Sequence, residues 1–109
     1  MAFDEKLAAR VRKLLNRGYS VEEKRMFGGL TFMVNGHMCC GVLKKDLVLR
    51  LAPQDYERTL SHLNVRPMDF TGRSLRGLVY VDPVAVRAPR DLKKWIQRSL
   101  QLVSTLPPK

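Results

Sequence analysis

The chain has 109 residues, enough for a single domain spanning 1–109 with its own core. With 45% apolar and 28% charged residues it fits an ordinary soluble globular protein, and no apolar run reaches the length of a membrane span. Twenty basic residues against ten acidic give a net charge of +10, which favours polyanionic partners unless the basic surface is only solvation. Two adjacent cysteines make no disulfide framework, and there is no secretory h-region, so a reducing, cytoplasmic setting is expected.

Residues 4–17 predict a first helix. Leu7, Val11, Leu14 and Leu15 share one face, and Lys6, Arg10, Lys13 and Arg17 form a basic stripe opposite. Asp4 and Glu5 suit the start of a helix and Gly18 suits its stop. The basic stripe reads either as a solvated face or as a surface that tracks phosphates or docks a partner. Residues 19–24 read as a connector or a first strand.

Residues 25–51 organise the rest and predict a three-stranded antiparallel meander. Gly28-Gly29 opens it, Asn35-Gly36 turns it and Lys44-Lys45-Asp46 turns it again. Asn-Gly meets the need of a two-residue hairpin turn for positive φ at both central positions. A regular ladder from that turn pairs Val34 with His37, Met33 with Met38, Phe32 with Cys39, Thr31 with Cys40 and Leu30 with Gly41. One face then carries Leu30, Phe32, Val34, His37, Cys39 and Leu43; the other carries Thr31, Met33, Met38, Cys40 and Val42. Both are largely apolar, which predicts helices on one face and a further cover on the other: another helix, the sheet curling over itself, or a second chain as a homodimer.

Pro53 opens a second helix over 54–63, with Tyr56, Leu60 and Leu63 as its apolar face and Asn64 as its cap. Met68 and Phe70 alternate as a short strand, residues 71–74 turn, and 75–81 form another strand ended by Asp82-Pro83. After Pro89 a last helix spans 90–104. Leu92, Trp95, Ile96, Leu100 and Val103 face inward, and Arg90, Lys94, Gln97, Arg98 and Gln101 face outward. The order α-β-β-β-α-β-β-α predicts an α+β fold with helices on a mainly antiparallel sheet of about five strands.

Arg25-Met26-Phe27-Gly28-Gly29 followed by a strand, Gly36 and Met38 in the hairpin, and residues 47–50 together resemble the TfoX/Sxy N-terminal domain family. Met68 to Phe70, Leu78 to Tyr80, Pro83 and the last helix with Trp95 extend the resemblance over roughly residues 5–103. Thr31 departs from it, since many members carry glycine there. The resemblance implies an α+β sheet-and-helix fold and a link to bacterial regulators of natural competence, which act with the cyclic-AMP receptor protein at a subset of its promoters. It offers no catalytic residues to transfer. The helix-hairpin-helix-like second domain of the founding regulators has no counterpart in residues 1–109, so a stand-alone N-terminal domain is expected.

Chemistry beyond the resemblance is sparse. Neighbouring strand residues point to opposite faces, so a Cys39–Cys40 disulfide is disfavoured and two buried structural thiols are expected. His37 and Cys39 share a predicted face but offer only two of the four ligands of structural zinc, with His62 distant. No metal, cofactor or catalytic residue is expected. Met33 and Met38 read as core filler or as an adaptable docking surface. Three functions stay open: a non-catalytic regulatory domain that binds a protein partner such as a transcription factor; direct nucleic-acid binding through Lys6, Arg10, Lys13, Arg17, Lys94 and Arg98; and a small-ligand binder or enzyme with a pocket near His37 and Cys39.

Overall fold

A computed structural model describes residues 3–16, 18, 20–26, 28–70 and 73–107. Three helices and six strands follow one another as α1 (Glu5–Leu15), β1 (Val21–Met26), β2 (Gly29–Val34), β3 (His37–Leu43), β4 (Asp46–Arg50), α2 (Pro53–Leu60), β5 (Val65–Phe70), β6 (Arg73–Val81) and α3 (Pro89–Ser104), with a 3-10 turn at Pro83–Val86. The strands form one antiparallel sheet in the order β1-β2-β3-β4-β6-β5. The α+β class and the helix placement agree with the expectation. The strand count is six rather than about five, because residues 21–26 form an edge strand.

That edge strand is charged. Glu22, Glu23, Lys24 and Arg25 occupy its middle, and all are exposed. At the opposite edge, β5 carries Arg66 and Pro67, both exposed.

The Asn35-Gly36 turn forms as expected, with φ of 54° and 85°. Val34 pairs with His37 and Met33 with Met38. Beyond that pair the register departs from the regular ladder. A bulge leaves Cys39 as an extra residue, so Phe32 faces Cys40, Thr31 faces Gly41 and Leu30 faces Val42. The expected faces are corrected accordingly. Cys40 and Val42 join Leu30, Phe32, Val34, Leu47 and Leu49 in the helix-side core, and Cys39 enters the same core.

All three helices cover that side. α3 lies over β3 and β4, α2 over β5 and β6, and α1 beside α3. Ser99 would be a polar intruder in this core, but its hydroxyl donates to the Arg50 carbonyl at 2.8 Å and pins α3 to β4. The other face is partly enclosed: Thr31, Val48 and Met68 are buried, whereas Met33 and Met38 are only half-buried. Gly77, with φ of +90°, lies where the β5–β6 ladder is interrupted between Pro67 and Asp69. Met68 of this irregular stretch is buried and lines one small cavity with Thr31, Gly41 and Val48.

Helix α1 starts on a side-chain cap: Asp4 accepts from the main-chain N–H groups of Lys6 and Leu7 at 2.9 and 3.2 Å. Arg12 joins it to the edge strand through a two-pronged pair with Glu23, at 2.5 and 2.8 Å. The hydrogen bond from Arg12 holds the Glu23 carboxyl below its usual range. A depressed carboxyl contributes stability above its unfolded value, and that contribution is lost as pH falls through the folded value. Both side chains are substantially exposed, so screening limits the pair to about 0–1 kcal/mol. Glu23→Gln is therefore expected to lower stability slightly at neutral pH and to converge with the parent in acid, as read from urea midpoints across pH.

Helix α2 ends at Leu60, earlier than expected, with Ser61 as its cap. Leu63 is thereby released from the apolar face assigned to it and stands 91% exposed in the loop 61–64.

Candidate functional site

The loop after α2 is wrapped by its own polar groups. The Ser61 hydroxyl donates to the Arg58 carbonyl at 2.7 Å, and the Asn64 N–H donates to Nδ1 of His62 at 3.2 Å. This sets the His62 ring edge-on to the indole of Trp95 on α3, with centroids 5.2 Å apart and planes at 79°. One turn further along α3, the Arg98 guanidinium lies over the same indole at 4.8 Å and reaches the Thr59 hydroxyl at 3.5 Å.

His62 and Arg98 form a bridge between two hollows. One, of about 330 Å³, is bounded by Asp55, Arg58 and Gln101. The other, of about 390 Å³, is bounded by Asn64, Val84, Asp91 and Lys94. Arg58 is already paired with Asp55. Lys94 and Arg98 have no carboxylate partner among the described residues. Three large apolar side chains are exposed among the described residues: Leu63, Val84 at 54% and Met26 at 38%. Two of the three belong to this region, since Val84 lines the second hollow and Leu63 sits between His62 and Asn64.

The expected polyanion residues that the structure describes sit on two helices, α1 and α3. Lys94 and Arg98 line the groove between α3 and the α2–β5 loop. Lys6 and Lys13 are exposed on α1. Arg10 is largely committed to structure, because its guanidinium donates to the Val86 and Arg87 carbonyls at 2.8 and 3.1 Å and straps α1 to the segment leading into α3. Arg17 lies outside the described residues. Leu63 and Val84 were missed. Leu63 continues the apolar spacing of α2, and only the early helix end turns it outward.

The cysteines and His37 do not build an open site. Cys39 and Cys40 are fully buried free thiols. Their mutual contact, and next their burial, push the Cys40 thiol well above its usual range. His37 instead meets the Pro107 carbonyl through Nε2 at 2.6 Å. Among the described residues no cluster of three or more His, Cys, Asp or Glu is arranged to hold a metal. Both thiols are expected to resist Ellman's reagent in the folded protein and to react at once in denaturant; rapid reaction of either without denaturant would contradict their burial.

The glycine-rich opening of the meander is architectural. Gly28 has φ of +78° in the β1–β2 connection. Gly29 pairs with Met26, and an added Cβ there would meet the Val42 carbonyl oxygen. Arg25 extends over the Phe3 ring at 5.8 Å, and Phe27 lies outside the described residues. The family model of the TfoX N-terminal domain matches residues 13–103, which includes this opening, the hairpin and α3.

The chain belongs to the TfoX N-terminal domain family.

No curated protein and no solved structure matches it. Membership relates it to the competence regulators from which the family takes its name. No helix among the described residues is long and apolar enough to cross a membrane.

Proposed function

We propose that this TfoX-type domain is a non-catalytic regulatory module that works by binding a protein partner, with a transcription factor as the partner class. The groove beside α3 carries this reading. Its lining combines exposed Val84 with Lys94 and Arg98, and exposed Leu63 lies in the adjoining loop, a mixture of apolar and cationic side chains suited to protein recognition. Family membership supports the regulatory setting. The small-ligand reading has less support at the thiol and imidazole, because Cys39 is enclosed in the core and His37 is engaged by Pro107.

The test mixes the purified chain with a cyclic-AMP-receptor-type activator on its promoter DNA and follows complex size by sedimentation. A larger complex that requires the activator is expected. An unchanged activator–DNA complex, with the domain sedimenting alone at every concentration, would overturn the activator as partner.

Direct nucleic-acid binding is a second reading, favoured by the exposed Lys6 and Lys13 on α1 and by Arg87, Arg90 and Lys93 next to the segment that Arg10 straps down. Its signature is duplex affinity that falls steeply with salt and drops on Lys6→Glu and Lys13→Glu. Shallow or absent binding at low salt would remove it.

A further inference from the structure

We propose that the groove between the α2–β5 loop and α3 receives an extended acidic peptide segment of a partner protein, carboxylates on Arg98 and Lys94 and an apolar side chain against Val84, with Leu63 of the adjoining loop as a second apolar contact. The proposal rests on the protein-partner reading above and names the chemistry of the segment.

The cation at the centre is preorganised. The Arg98 guanidinium lies over the Trp95 indole, 4.8 Å from the ring centroid, and reaches the Thr59 hydroxyl at 3.5 Å, so it is held at the groove before anything binds. A planar guanidinium presents two parallel N–H donors to a carboxylate, and little side-chain freedom is lost when it is already held. Nδ1 of His62 is occupied by the Asn64 N–H, which leaves Nε2 as the ring's donor in its neutral form. Lys94 lies one turn earlier on the same flank of α3, spacing a second cation along the groove.

The apolar pair selects a peptide over a nucleic acid. Val84 in the lining and Leu63 in the adjoining loop offer nothing to a phosphate chain but present exposed apolar surface that a peptide side chain can cover. Trp95 is buried beneath Arg98 and His62, so its face is not free to stack a base. Asp55 and Asp91 also line the two hollows. They oppose a continuous run of negative charge, whereas a peptide can place neutral residues beside them and carboxylates beside Arg98 and Lys94.

Trp95 is the sole tryptophan, so its emission reports on this site. The experiment titrates the whole chain with a synthetic peptide of about twelve residues in which glutamates alternate with leucine and phenylalanine. A second peptide carries glutamine for glutamate, a third carries serine for the apolar residues, and a short DNA duplex serves as the polyanion control. The expected result is a saturable emission change with the first peptide alone. Arg98→Glu and Leu63→Ser, both exposed positions, should each weaken it by about tenfold or more, and Lys6→Glu should leave it unchanged. Circular dichroism of each variant confirms the fold.

Equal response to the glutamine or serine peptide, indifference to Arg98→Glu and Leu63→Ser, or a stronger response to duplex than to peptide would overturn the proposal. Engagement of the activator that survives both substitutions would discard the groove while leaving the partner reading intact. No engagement by the unmodified chain would discard the partner reading itself.

Discussion

Gly29→Ala is expected to destabilise the domain by about 3 kcal/mol or more, and to do so far more than Gly28→Ala beside it. A Cβ at position 29 would sit 2.3 Å from the Val42 carbonyl oxygen and 3.1 Å from the Leu43 Cα. Both are main-chain atoms of β3, in the middle of the sheet, so no side-chain rotation relieves the overlap. At position 28 the nearest atom is a flexible leucine methyl 4.0 Å away, and the cost is the positive φ alone, about 1 kcal/mol. Urea unfolding of the two variants should show a much larger midpoint shift for Gly29→Ala. The reverse order would mean that turn conformation, rather than the close approach of β2 and β3, is what the glycine pair serves.

Phe32→Ala is expected to cost about 3–5 kcal/mol, a large share of the roughly 5–15 kcal/mol by which a domain of this size is stable. Phe32 is the largest fully buried side chain among the described residues, opposite Cys40 and under the helices. The bulge has already used the two cysteines to fill the space around it, and neither thiol can expand into the vacated volume. Met33, the next residue on the opposite face, is only partly buried, so Met33→Ala should shift the urea midpoint much less. Comparable shifts for both would indicate that the two faces of β2 are equally enclosed.

The fold was legible where local chemistry dictates geometry. Asn35-Gly36 announced its turn, the spacing of Leu7, Val11 and Leu15 announced α1, and Leu92, Trp95, Ile96 and Val103 announced α3. Three features were not. The bulge at Phe32/Met33 leaves no compositional mark, since cysteine suits either face of a strand, and it reassigns every residue of β3 beyond Met38. Strand β1 lacks apolar alternation because an edge strand can remain solvated on much of its surface. The end of α2 was read three residues late, because Leu63 continues the helical spacing while its main chain has already turned. The candidate site suffers from the last of these. Lys94 and Arg98 were visible as a pair one turn apart, but the exposed leucine beside them was assigned to the core. Arg10 was misjudged in the opposite sense, since nothing in a basic stripe reveals that one member will bind carbonyls of a segment some 76 residues away.

The charged edge at β1 and the proline-bearing edge at β5 bear on how specificity can evolve. A neighbour that tried to extend the sheet would bring its backbone against Glu22, Glu23, Lys24 and Arg25 on one side, and on the other against Pro67, which has no N–H to offer. Generic main-chain docking, which accepts many sequences, is discouraged at both ends. For a partner-binding domain this leaves side chains on the helices and loops, where a single surface substitution would redirect the choice of partner without disturbing the sheet beneath.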